Sequence, residues 1–524
     1  MTPSYQATVV TPSTSPHFTH NIKMKFLSLA AAASLATAAF IPEQNPMALL
    51  KEKPLVTSEE LQKHISEKGL RHRAEHLFKL AEKSENEFGH PTRVIGSEGH
   101  RKTLKYIIDS LKKFNYYHLS MQPFDAVAGN VLESKLVIGG EVPKSSAPFS
   151  LTPGTPDREP VYGNITVALN EGCDVNDFEN VKGTIVLVRR GTCPFGDKSA
   201  NAGKRGAIAC VIYDSEPGDN TVSGTLGEPN EHHVATFGIS NNDGVKYIED
   251  LANKGHLEGS AYVDGYVKTV KTYNILAETI EGDPENVVCL GAHSDSVTEG
   301  PGINDDGSGT ISLLETAIAL TNFKVKNKVR FAWWAAEEEG LLGSNYYANN
   351  LTPEENQQIR LFMDYDMMAS PNYAYQIYDA NNKENPEGSE ELKQLYIDFY
   401  EREGLNYTFI PFDGRSDYVG FIDNGIPGGG IATGAEGVKT DEEVEQFGGK
   451  AGDWYDPCYH QLCDDLSNPS YEAWLVNTKL IAHSVGVYAE SFKGFPKRKE
   501  VKKDTVKVEG MTPKYKYKGH SLVY

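Results

Sequence analysis

Cysteine is scarce: 6 residues in 524 exclude a small-domain scaffold held together by disulfides. Basic residues are in deficit, 51 Lys and Arg against 72 Asp and Glu. The net charge of −21 argues against nucleic acid or an anionic membrane surface as a partner. Long apolar runs are lacking too, so nothing beyond the N-terminal region reads as a membrane span. What is there suits a large globular chain, with room for two or three domains and a sizeable core.

The N-terminal region carries one short apolar run, Phe26 to Phe40, opened by Met24-Lys25 and closed by Ala36-Thr37-Ala38. A positive start, an apolar centre and a small-residue end read as a secretory signal peptide, with Met24 as the initiator. The expected destination is the secretory pathway, either an extracellular or a vacuolar lumen. Three Asn-x-Ser/Thr sequons, at Asn164, Asn350 and Asn406, fit that route as glycosylation sites. In an oxidising compartment Cys458 and Cys463, close together in a polar loop, are expected to pair around His460. Cys173 and Cys193 both lie in Gly-containing turns, and whether they pair is left open. Cys210 and Cys289 interrupt strand-like runs and read as buried thiols.

Along the chain, 1–41 reads as extension and signal peptide and 42–56 as a removable pro-segment. Thr57 with Glu60 forms a capping box opening a helical region to about 83. Leu104, Ile107, Ile108 and Leu111 make a one-face helical stripe within a first segment, 57–139. Between 140 and 265 the texture turns to glycines and short strands, with Gly183 to Gly191 leading into Cys193-Pro194-Phe195 and Lys198-Ser199-Ala200. From 266 to 495 strands alternate with helices: 286–293, 328–336 and 359–368 are strands, 308–323 and 387–403 helices. That pattern is an α/β domain with a mostly parallel central sheet, whose ligands sit at the carboxyl ends of strands. The end, 496–524, is Lys- and Tyr-rich and reads as a flexible basic tail.

Acids and histidines recur where those strands end. His293 and Asp295 follow an apolar strand, two apart and so on one side, which lets Asp295 hold the far nitrogen of a metal-binding imidazole. Gly302 to Gly309 places Asp305 and Asp306 in a Gly-rich turn before a helix, a pattern that also suits a plain turn and helix cap. Glu337, Glu338 and Glu339 end an apolar strand, and spacing does not say which does what. Asp366 closes an apolar run, and Cys458-Tyr459-His460 brings a second histidine late in the chain. Two histidines with several carboxylates in one domain are a donor set for zinc.

In that order these motifs, with Gly89 to Ser97, Ala292 to Val297 and Asp413 to Asp417, resemble the di-zinc aminopeptidases, above all the fungal aminopeptidase Y type. The segment 140–265 is similar to the protease-associated (PA) domain such enzymes carry as an insertion. That likeness implies no chemistry there, and a wall or lid over the site. The resemblance covers roughly 57–495 and implies two zinc ions per chain, bridged by Asp305. One would be completed by His293 and Asp366, the other by Glu338 and His460. Glu337 is then the catalytic base, Asp295 the partner of His293, and Tyr459 and Arg415 substrate or transition-state contacts. The implied substrates are peptides with a free N-terminus, cut by a monomer. Rival readings are a related zinc carboxypeptidase, a one-zinc glutaminyl cyclase, or a receptor-like PA-containing homologue that has lost its ligands.

Overall fold

The computed structural model describes residues 53–499 apart from Glu228 and Asp413. The signal peptide, most of the expected pro-segment and most of the expected tail lie outside the described residues. At the edges the structure departs from expectation. Val56 donates to the Lys324 carbonyl, Lys324 to that of Pro54, and the Val56 side chain is fully buried in the main core. The last residues of the expected pro-segment are therefore part of the folded body. Likewise Arg498, expected in a flexible tail, donates to the carbonyls of Asn356 and Ile359 and is docked.

In chain order the strands are β1 (Tyr117–Ile138), β2 (Ser146–Pro148), β3 (Val161–Val167), β4 (Ile185–Arg189), β5 (Ala209–Tyr213) and β6 (Ala235–Ile239). They continue as β7 (Glu258–Thr279), β8 (Asp283–His293), β9 (Asn327–Trp334), β10 (Ile359–Tyr365), β11 (Gln376–Tyr378), β12 (Thr408–Ile410) and β13 (Gly428–Ala432). Strands β13, β10, β8 and β9 lie side by side and parallel, with β7 antiparallel beyond β9 and β11 antiparallel beyond β13. This is the mostly parallel α/β sheet expected from the sequence.

Its strands are continuous apolar runs because both faces are covered. Val288, Leu290 and Leu361 pack on one face with Ile311, Leu314 and Leu480; Val287, Cys289 and Phe362 pack on the other with Tyr347 and Phe421. The helix Glu98–Lys112 buries Leu104, Ile107 and Leu111 as the stripe requires. The expected helix from Thr57 is broken into Ser58–Gln62 and Glu67–Ala81, because Ser66 leaves the helix and caps the second piece through Gly69. The helix Tyr471–Glu490 has no stripe to betray it, since thirteen of its twenty residues are buried.

One buried residue of that helix predicts an acid response. His483 accepts or donates at 2.6 Å to Ser58 Oγ, and burial pushes its pKa down to about 4. The unfolded chain then takes up the proton first, so stability is lost as pH falls from about 6.5 to about 4 and is unaffected above that window. Full expression of that difference costs about 3 kcal/mol. Melting temperatures of wild type and His483→Gln should fall along different slopes across this window; parallel slopes would remove His483 as a cause.

Strands β1 and β7 form a 22-residue antiparallel ribbon with a bulge between Val131 and Glu133. At one end β7 borders β9, and at the other it borders β3, which begins a second sheet ordered β3-β4-β5-β6-β2. The expected boundary at 265/266 falls inside β7, where the ladder to β1 runs on; the change in composition there is not a linker. Helices Phe195–Lys204 and Asn241–Lys254 accompany the second sheet. Cys173 is disulfide-bonded to Cys193, and Cys210 and Cys289 are buried free thiols.

Candidate metal centre and active site

The parallel order β10-β8-β9 brings three chain segments to one place at their carboxyl ends. His293 is the last residue of β8, Glu337 and Glu338 follow β9, and Asp366 follows β10. Asp305 enters from the turn before the helix Gly307–Leu320, and His460 from the loop closed by the Cys458–Cys463 disulfide. Backbone strain collects here. Ala336, Met367 and His460 all adopt left-handed φ, of 61°, 56° and 57°, each beside or at one of these side chains.

Asp305 stands between the two imidazoles. Its Oδ1 lies 3.1 Å from His293 Nε2 and its Oδ2 lies 2.9 Å from His460 Nε2. Asp366 Oδ1 is 3.7 Å from His293 Nε2, and Glu338 Oε2 is 3.3 Å from His460 Nε2. Donors about 2 Å from a tetrahedral ion stand roughly 3.3 Å from one another, so both groups of separations suit an ion at their centre. Buried Asp366 Oδ1 and Glu338 Oε1 have no hydrogen-bond partner, a cost that a cation would relieve. The cluster draws positive charge. Burial opposes a proton on His460, yet the carboxylates of Glu338 and Asp305 push its pKa up to about 10. His293 is also raised, against burial, by Glu337, Asp305 and Asp366.

Glu337 lines one cavity with Asp305, Glu338, Asp366 and His460, its Oε2 3.9 Å from His293 Nε2. Burial raises its carboxyl well above the ordinary range, and Glu338, Asp417 and Asp366 add to this while His293 opposes it. Asp295 is on the expected side, but its Oδ1 stands 3.8 Å from His293 Nδ1, longer than a hydrogen bond. The Tyr459 ring stacks on His460 with centroids 3.7 Å apart. Arg415 pairs with Glu436 at 2.7 Å. Both Tyr459 and Arg415 line a cavity of about 360 Å³ whose floor is Asp305, Glu337, Glu338 and Asp366 and whose walls include Tyr378, Ile410 and Tyr455.

A model of peptidase family M28 matches residues 274–485, and a PA-domain model matches residues 160–247. Aminopeptidase Y of Saccharomyces cerevisiae is 53% identical over 501 residues, 94% of this chain and 91% of that protein. The chain belongs to peptidase family M28. Leucine aminopeptidase 2 of Trichophyton equinum is 42% identical over 492 residues, 93% of this chain and 96% of the relative. Among solved structures, the aminopeptidase from Aneurinibacillus sp. strain AM-1 is similar with a TM-score of 0.66 at 25% identity. That likeness covers 85% of this chain and 98% of the other.

The cluster is braced by residues to which the sequence assigned no part in it. Asp306 has spent its oxygens: Oδ2 accepts from the His293 N–H, and Oδ1 from those of Gly309 and Met367. The turn-and-cap reading thus holds for Asp306, while its neighbour Asp305 faces the imidazoles. Asp464 accepts from the N–H groups of Asn304 and Asp305. Arg93, fully buried, donates to the carbonyls of Ser294, Asp295, Pro301 and Gly302, clamping the turns that carry His293 and Asp305. Its signal was present in the Gly89 to Ser97 motif, but nothing local says that an arginine there serves a loop some 200 residues away.

Proposed function

We propose that this chain is an aminopeptidase that holds two zinc ions, one between Asp305, His293 and Asp366 and the other between Asp305, Glu338 and His460. The observation that carries this reading is Asp305, whose two carboxylate oxygens address two different imidazoles. Nitrogen and carboxylate donors in this number suit zinc. When bound, the ions supply Lewis acidity that polarises the scissile carbonyl and lowers the pKa of water. Glu337 accepts a proton from the attacking water and returns it to the leaving amine. Burial first, then the carboxylates of Asp305 and Glu338, hold the Tyr459 hydroxyl well above its usual pKa, so it stays a donor for the developing oxyanion. Asp295 stands behind the His293 ring, its Oδ1 3.8 Å from Nδ1.

Polarity follows from charge. Five acids line the cavity (Asp305, Glu337, Glu338, Asp366 and Glu436), and its one arginine, Arg415, is paired with Glu436. A free ammonium is welcome there, whereas the terminal carboxylate of a carboxypeptidase substrate is not. Leucyl peptides should therefore be cleaved and their N-acetyl forms ignored. Efficient cleavage of an N-acetylated peptide, or residues appearing from the C-terminus, would reverse this assignment.

The Cys458–Cys463 disulfide closes a loop so short that chain entropy gives it only about 2 kcal/mol. Its use is to fix His460. A Cys458→Ser/Cys463→Ser variant should melt only slightly lower yet lose zinc to a chelator at roughly tenfold lower chelator concentration. Unchanged zinc retention would leave the bond a purely structural staple. Two disulfides, with Asn164, Asn350 and Asn406 all exposed, support passage through the secretory route and glycosylation.

A further inference from the structure

A second cavity, of about 340 Å³, reaches the metal centre at Glu338. Glu338 lines both this cavity and the one holding Tyr459 and Arg415. Its walls are the ribbon residues Gly129–Ser134, the segment Pro148–Leu151 with Thr225 from the inserted region, and the turn Val297–Glu299 after β8. A cavity that met one face of a strand would touch alternate residues; this one touches six in succession, so it meets the strand at its edge. That edge is open: β1 pairs with β7 alone, and among the described residues Gly129–Ser134 have no other backbone partner. At its middle the bulge frees Leu132, which is 60% exposed. The lining includes four glutamates (Glu133, Glu299, Glu338 and Glu339) and no Lys, Arg or His.

We infer that the part of the substrate beyond the scissile bond lies in this cleft as an added strand on the β1 edge at Gly129–Ser134. This rests on the aminopeptidase reading and extends it from the first residue to those that follow. Strand addition grips main-chain N–H and C=O groups, so it serves peptides of many sequences, which an enzyme removing one residue after another must accept. Specificity is left to the walls. Glu133 and Glu299 favour basic side chains just beyond the bond that is cut and disfavour acidic ones.

The test compares leucine p-nitroanilide, which has no peptide beyond the bond, with a leucyl pentapeptide N-methylated at one amide at a time past the scissile one. Only every second amide of an added strand points at its partner, so kcat/KM should fall roughly three- to tenfold at alternate positions. Glu299 is exposed and outside the proposed catalytic groups. Glu299→Lys should lower kcat/KM by about tenfold for a peptide with Lys at its second and third positions, and leave the anilide unchanged. Methylation penalties without alternation, or a Glu299→Lys effect equal on peptide and anilide, would overturn the proposal. An anilide that wild type does not cleave would instead defeat the aminopeptidase reading beneath it.

Discussion

Glu337→Gln is expected to lower kcat by two or more orders of magnitude while leaving the fold and the bound zinc in place. The substitution conserves shape, so the buried wall it forms survives; what disappears is an oxygen able to take a proton. The base role of Glu337 is carried over from the family resemblance, and the geometry is compatible with it. All four acids line the cavity; Asp305 and Asp366 each present an oxygen to an imidazole, Glu338 Oε2 faces His460 at 3.3 Å, and Glu337 Oε2 stands a little farther out, 3.9 Å from His293. Zinc content and circular dichroism of the variant must match wild type for the comparison to count. Near-normal turnover in such a zinc-loaded variant would take the base role from Glu337.

Removal of metal should have the larger effect still. A strong chelator is expected to reduce hydrolysis of leucine p-nitroanilide to background, with recovery on adding zinc back. The apoprotein should also melt at a lower temperature, because Asp305, Glu337, Glu338 and Asp366 converge in a buried space and repel one another without a cation between them. Titrating zinc back tests the count: two equivalents per chain restore full activity if Asp305 is shared as its two contacts imply. Activity that survives exhaustive chelation would remove the metallopeptidase reading, and saturation at one equivalent would remove the second ion.

Much of this architecture was legible beforehand. The runs 286–293, 328–336 and 359–368 read as buried strands because parallel strands covered on both faces cannot alternate, and the structure places β8, β9 and β10 there with ends shifted by a few residues. The stripe at Leu104, Ile107 and Leu111 read as a helix face because one side only is buried. The helix Tyr471–Glu490 escaped notice for the opposite reason: buried on nearly all sides, it has no contrast to read. The break at Ser66 was missed because a capping serine inside a helical run looks like any other polar position until the chain is seen to turn.

For the site, the sequence by itself determined which residue types are available and that they follow strand ends, since a strand's apolar run stops where its side chains leave the core. It could not assign work to Asp305 as against Asp306, or to Glu337 as against Glu338 and Glu339; the family resemblance supplied those roles. Tertiary structure decides where each adjacent acid points. Asp306 turns back to hold three N–H groups, while Asp305 faces His293 and His460, residues 12 and 155 positions away. The same holds for Arg93, whose guanidinium joins turns about 200 residues distant, and for the cleft along β1, whose lining comes from five separate segments. Periodicity records which side of one element is buried. It carries no record of what lies opposite, because distances between elements are set only when the sheet and its helices pack.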